Sequence, residues 1–163
     1  MIEKIDSSQL KIVQEIAEKT WPNAFGEILS KEQLEYMMKM MYSLDVLEKK
    51  LKSGHEFYLY IENEIPLGFM GIENNYKGLN QLKIHKLYIL PNQQEKGIGK
   101  KFIHFASEKC ADLMIEILTL NVNRFNKAVT FYEKLGFKNV KSEDIEIGNG
   151  YLMEDFVMEK EIK

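Results

Sequence analysis

The stretch QEKGIGKK, residues 94–101, gathers the residue types that hold a phosphate. Gly97 and Gly99 let a backbone come close to a ligand, and Lys96, Lys100 and Lys101 add positive charge around them. An apolar run ending at Pro91 precedes the stretch, and a helical apolar pattern (Ile98, Phe102, Phe105, Ala106) follows it. The segment therefore reads as the passage from a strand into a helix. A helix N-terminus leaves its first N–H groups unpaired and carries roughly half a positive charge, which suits an anion, phosphate foremost. The spacing excludes two familiar phosphate loops. A Walker A loop needs its glycines further apart and a Ser or Thr after the lysine. A dinucleotide fingerprint needs a small residue where Phe102 stands. What remains is Q-x-x-G-x-G, Gln94 to Gly99, a pattern that a structural turn with a chance Gly-x-Gly would also match.

The basic cluster is local. Over 163 residues the net charge is −3, which argues against a nucleic-acid binder, since such a protein carries a basic excess. Cys110 is the only cysteine, so the chain has no internal disulfide and no four-cysteine metal site, and its apolar neighbours mark it as a buried thiol. No His, Asp and Glu cluster has metal-ligand spacing, and no metal is expected. The N-terminal MIEKIDSSQ lacks the apolar core of a signal peptide, and no window approaches the ~20 apolar residues of a membrane span. The chain reads as cytoplasmic, with no membrane partner.

These residues must be positioned by elements that the patterning outlines. Without repeats or a Pro/Gly linker, residues 1–163 read as one domain. IEKI is a short first strand, and a helix runs from the Asp6–Ser8 cap to about Thr20, with WPNAFGEIL as a break. Ser30 and Gln33 look like a capping box opening a single helix to about Lys52. EFYLYIEN and LGFMGIEN form a hairpin, and QLKIHKLYIL is the strand after it. In that strand the apolar phase slips between Leu82/Ile84 and Leu87/Ile89, as a β-bulge or burial on both faces would produce. The helix after Gly97, the strand MIEILTLNV, a helix from about Arg124 to Leu135 closed by Gly136, and two final strands complete the chain. The order β-α-α-β-β-β-α-β-α-β-β gives a mixed sheet with helices on it, an α/β or α+β three-layer domain.

The glycine segment resembles motif A of the GNAT superfamily of acetyl-CoA-dependent N-acetyltransferases. LNVNRFNKAVTFYEKLGF resembles that family's second signature, with Asn126, Ala128 or Val129, Phe131, Tyr132, Gly136 and Phe137 in place. The likeness is close over roughly residues 56–160 and extends to the first fifty only in helix count; the layout looks most like bacterial polyamine (spermidine) N-acetyltransferases. It implies a central mixed, mostly antiparallel sheet of about seven strands with helices on both faces. It also implies that Gln94, Glu95, Lys96, Gly97, Ile98, Gly99 and Lys100 bind the pyrophosphate of acetyl-CoA, and that Leu87, Tyr88, Ile89 and Leu90 offer backbone groups to the pantetheine arm.

Amide formation from a thioester needs an uncharged amine against the carbonyl, a route for its proton and stabilisation of the departing thiolate, with much of the gain available from orientation. By resemblance, Tyr132 is the candidate acid for the leaving sulfur, and Asn126 would bond the pantetheine or a water. Relatives often place a glutamate where this strand has His85, a departure that leaves the base open between His85 and Glu73. Core packing of Tyr132 and a structural role for His85 are the plain alternatives.

The family's N-terminal helices shape the acceptor pocket. Here Trp21, Phe25, Tyr36, Tyr42 and several methionines would form an adaptable wall, with Glu27, Glu32, Glu35 and Asp45 drawing a cationic amine, unless these are simply core stripe and solvated face. The expected acceptor is thus a small primary amine such as a polyamine. A protein amine, or an acetyl-CoA sensor without turnover, is the rival reading; exposed edges and a Met-rich helix permit a homodimer.

Overall fold

The structure, a computed structural model, describes residues 1–162; the side chain of Glu95, named above for the phosphate loop, lies outside the described part. Seven strands form one sheet in the order β1-β2-β3-β4-β5-β7-β6. They are β1 (Ile2–Lys4), β2 (His55–Glu62), β3 (Ile65–Glu73), β4 (Gln81–Ile89), β5 (Ile117–Asn123), β6 (Lys138–Gly148) and β7 (Tyr151–Glu161). Only β4 and β5 run parallel; every other neighbouring pair is antiparallel. Helices α1 (Leu10–Phe25), α2 (Lys31–Tyr42) and α3 (Leu44–Lys52) cover one face, α4 (Ile98–Asp112) and α5 (Ala128–Lys134) the other. Alternation along the strands supplies both cores: Phe57, Leu59 and Phe69 meet α1 to α3, while Tyr58, Met70, Ile72, Leu82 and Ile84 meet α4.

Three helix boundaries differ from the sequence expectation. Helix α1 runs through Pro22 to Phe25, with the Gly26 N–H bonded to the Pro22 carbonyl. A proline inside a helix costs about 3 kcal/mol. Trp21 and Phe25 are buried, with ring centroids 4.7 Å apart. Burying two such side chains contributes about 2 kcal/mol or more each, enough to carry the helix past the proline. The expected single helix to Lys52 breaks at Ser43, whose extended backbone (ψ 148) ends α2 and whose Oγ accepts the Val46 N–H to open α3. Ser30 does cap α2 through the Gln33 N–H, but the Gln33 amide reaches the Leu152 carbonyl at 3.1 Å instead of closing a box. Helix α5 is shorter than expected, opening at Ala128.

The phase slip in β4 is a bulge. Gly71 pairs with Lys86 and Ile72 with Ile84, so His85 is the extra residue between them. Before the bulge Leu82 and Ile84, and after it Leu87 and Ile89, all pack on the α4 side. Among the described residues no helix is long and apolar enough to cross a membrane.

Candidate active site

Strands β4 and β5 pair only from Gln81 with Ile117 to Ile84 with Leu120. Beyond that, Asn121 to Asn123 of β5 stay with β7, and the upper half of β4 stays with β3. The two parallel strands therefore part, and a cavity of about 1020 Å³ occupies the gap, running from the bulge to the start of α4. Along β4, the Leu90 N–H is already bonded to the Leu67 carbonyl at 2.9 Å. By antiparallel alternation Leu90 and Tyr88 turn their backbone groups to β3, whereas Leu87 and Ile89 turn theirs to the gap. Of the four residues named for the pantetheine arm, two thus turn their backbone groups to the gap, and of these the Ile89 carbonyl already accepts the Gln94 side-chain amide at 3.3 Å.

The far end of the cavity is built by the glycine segment. Pro91–Lys96 form a 3₁₀ turn, and Gly97 stands at φ 76, ψ 14, a left-handed conformation that favours glycine, directly before α4. Gln94, Gly97, Gly99 and Lys100 line the cavity. The Lys101 N–H closes the first helical bond to the Gly97 carbonyl, so among the described residues the amides of Ile98, Gly99 and Lys100 are the orphan donors of the helix start. The Ile98 side chain is core, 1% exposed, and contributes only that amide. Lys96 is exposed and off the cavity lining. Lys101 is held to the Tyr60 hydroxyl at 3.1 Å, which removes it from the set of mobile cations at this end. Gly99 has a packing role of its own, since a Cβ there would stand 3.0 Å from the Phe131 ring.

Helix α5 forms the opposite wall. The Asn126 Oδ1 accepts the Ala128 N–H at 2.9 Å in the turn that leads into the helix, and Asn126 lines the cavity. Tyr132 lines the cavity with its ring packed on Phe131 and Phe137, at 5.3 and 5.6 Å between centroids. Burial pushes its phenol pKa well up, so the group stays protonated. Tyr88, which also lines the cavity, is raised as well, by burial first and then by Tyr132 and Asp155. Asp155 was not singled out in the sequence; it lies on β7, 2% exposed, on the cavity wall, taking the Asn121 amide at 3.3 Å. Burial raises its pKa.

At the bulge the fold assembles a trio that spacing alone did not suggest. The His85 Nε2 and His55 Nε2 lie 2.9 and 3.2 Å from the same Glu73 Oε1. The two rings stack, with centroids 4.6 Å apart. His55 and Glu73 face each other across β2 and β3, and the bulge turns His85 onto the same face. The missing signal was strand register: residues far apart in sequence meet only once three strands align. Two imidazoles and a carboxylate are ligand types of a metal site, contrary to the expectation that no such cluster exists. Lys50, Lys83 and Lys86 act on the trio with like charge, which raises the cost of a divalent cation there. Burial first, then His55 and those lysines, hold the His85 imidazole far below its usual pKa and therefore neutral. Of the trio, only His85 reaches the cavity lining.

The remaining wall comes from α1 to α3. Trp21, Phe25, Tyr42 and Met37, Met40 and Met41 line it as expected. Tyr36 does not: it bonds the Ile147 carbonyl at 2.7 Å and packs on Tyr151. Of the four acids expected to draw a cation, Glu27 alone lines this cavity. Lys50, Lys83 and Lys86 stand where acids were expected.

The architecture has known counterparts. The profile of the Acetyltransferase (GNAT) domain matches residues 26–160. A spermidine N(1)-acetyltransferase of Thermoplasma acidophilum is 27% identical over 169 residues, covering 98% of this chain and 95% of its own. An uncharacterized N-acetyltransferase of Lactobacillus delbrueckii subsp. lactis is 23% identical, covering 89% and 87%. The crystal structure of the PaiA N-acetyltransferase of Thermoplasma acidophilum, in complex with coenzyme A, superposes with a TM-score of 0.81 at 26% identity, over 99% of this chain and 98% of that one. A GCN5-related N-acetyltransferase fold from Rhodopseudomonas palustris gives 0.84 at 17% identity, over 99% and 94%. A split between two parallel strands, a glycine turn opening a helix at its end and a family profile spanning most of the sequence lead to one assignment: the chain belongs to the GNAT acetyltransferases, acyltransferases that use acetyl-CoA.

Proposed function

We propose that the protein transfers the acetyl group of acetyl-CoA to a primary amine of a small molecule. The observation that carries this reading is the continuous cavity between β4 and β5, with the unpaired amides of α4 at one end and Tyr132 and His85 on its walls. Support comes from the coenzyme A complex of the Thermoplasma structure. The pyrophosphate is assigned to the amides of Ile98, Gly99 and Lys100 with the Lys100 ammonium and the Gln94 side chain beside them, a helix-start anion site. The pantetheine arm is assigned to the gap, bonding the backbone of Leu87 and Ile89 and the free amide of Asn126.

In the reaction the acceptor nitrogen attacks the thioester carbonyl; the C–N bond forms and the C–S bond breaks. One proton leaves the amine and one joins the sulfur. Neutral His85, donating its Nε2–H to the Glu73 carboxylate, keeps a lone pair on Nδ1 for the amine proton. Glu73 orients the ring. Tyr132, protonated throughout the working range, donates to the departing sulfur.

The relatives and the cavity point to different acceptors. A spermidine acetyltransferase among the relatives favours a polyamine. The charges on the wall favour an acceptor that is not purely cationic. The reading as a whole is tested by following free thiol release from acetyl-CoA over a panel of polyamines, amino acids, aminoglycosides and lysine peptides. Stimulation by small amines supports it. Stimulation by peptides alone moves the assignment to a protein acceptor, and binding of acetyl-CoA without stimulated release leaves a sensor.

A further inference from the structure

Among the described residues, the lysines at the acceptor end of the cavity make no close ion pair. They are Lys50, Lys83 and Lys86, and all three line it. Lys83 is steadied by the Tyr76 hydroxyl at 3.2 Å and lies over that ring. Lys86 has no such partner; its ammonium lies 5.1 Å from the centre of the Tyr42 ring, deep in the wall. Burial and the nearby Lys50 lower its pKa to about 8, as a desolvated cation without a carboxylate requires. The acids in reach are otherwise engaged or sit elsewhere. Glu73 takes both imidazoles, while Asp155 and Glu143, both bonded to the Asn121 amide, lie within electrostatic reach of Lys83.

These lysines are poorly placed for the pyrophosphate of the cosubstrate. Lys86 is four residues of strand before Leu90, on the order of 13 Å, and the helix start with its free amides lies beyond that. A largely desolvated ammonium whose one contact is an aromatic ring is costly unless something brings a negative charge to it. A polyamine would bring further positive charge.

We propose that the acceptor is a primary amine that also carries a carboxylate, an amino-acid-like compound, whose carboxylate is held by the ammonium groups of Lys86 and Lys50 beside His85. The proposal rests on the N-acetyltransferase reading and narrows its substrate class. The step itself is unchanged, with the amine proton leaving toward His85 and the thiolate gaining one. The lysines serve it twice, since like charges nearby also favour the uncharged form of the attacking amine.

The test compares amines that differ by one carboxylate: ornithine with putrescine, and lysine with cadaverine, with spermidine alongside. Thiol release should show kcat/KM about tenfold or more in favour of the carboxylate member, the size of one charge-assisted contact. Lys86→Met should collapse that ratio, and Lys86→Arg, which keeps the charge, should retain most of it. Equal or greater kcat/KM for the diamines or spermidine would overturn the anionic subsite while leaving the acetyltransferase intact. If no amine stimulates release, the acetyltransferase reading fails, and calorimetry on the coenzyme A complex decides the subsite by itself. Tighter binding of ornithine than putrescine, lost in Lys86→Met, supports it; equal binding removes it.

Discussion

A matched pair of glycine substitutions separates what the phosphate turn does for the fold from what it does for the ligand. Gly97 and Gly78 both have left-handed backbones, at φ +76 and +69, and a Cβ built on either meets nothing within 4 Å. Alanine at either position therefore carries the same penalty, the backbone cost of a left-handed L-residue, about 1–2 kcal/mol. For a domain of this size that is roughly 2–8 °C in Tm. Gly78 lies in the connection before β4, away from the cavity, while Gly97 lines its end. The Gly97→Ala methyl enters the space assigned to the pyrophosphate and displaces it from the orphan amides. Losing one charge-assisted bond costs about 1.5–3 kcal/mol, or roughly 10- to 150-fold in Kd. Thermal unfolding without ligand and calorimetric titration with coenzyme A read the two quantities. Both variants should unfold at about the same lowered temperature, and only Gly97→Ala should weaken the ligand. Wild-type affinity in Gly97→Ala, at the lowered Tm, would refute the placement of the pyrophosphate.

Other outcomes follow from the same geometry. Tyr132→Phe keeps the ring packing, so stability should change by less than ~1 kcal/mol, while kcat falls about 10²- to 10⁴-fold with coenzyme A affinity retained; a rate within threefold of wild type would make the ring core alone. In the wild type no loss of rate below pH 10 should trace to this phenol, since burial keeps it protonated. Cys110 is fully buried, and burial raises its thiol pKa to about 11, so a thiol-specific reagent should modify it only in denaturant and leave the thiol-release assay without protein background. Asp155 has a raised native pKa, chiefly from burial. The native state then binds its proton more tightly than the unfolded chain, and its contribution to stability falls as pH rises from the unfolded toward the native pKa. Asp155→Asn should accordingly raise Tm at pH 7, with the gain vanishing in acid. A gain that is equal at both pH values would point to packing instead.

Legibility in the sequence followed the range of the interactions. Strand alternation, the Gly97 turn and the order of the elements depend on neighbours a few residues apart, and each was readable in the chain. Pro22 misled because its cost is local, whereas the burial of Trp21 and Phe25 against Tyr88 that offsets it is tertiary. Ser43 was passed over because the apolar stripe continues across it, although its side chain ends one helix and starts another. The charge of the acceptor wall was the least readable feature. Glu32, Glu35 and Asp45 sit on the helices that cover the cavity, yet on faces turned away from it. Lys83 and Lys86 come from a strand whose facing depends on a bulge.

That bulge explains why one extra residue has so large an effect. Without His85 in excess, Leu82 and Ile84 could not share a face with Leu87 and Ile89, and half of β4 would turn its apolar side away from α4. The insertion keeps both halves on the core. It also turns His85 and Lys86 together toward α1 to α3, beside Glu73 and under Tyr42. It falls at Ile84, the last β4 residue to pair with β5, so the strand leaves its parallel neighbour where the polar residues emerge. Acceptor groups and cosubstrate gap thus share one origin in the backbone. A deletion of His85 that restored regular pairing would be expected to remove both.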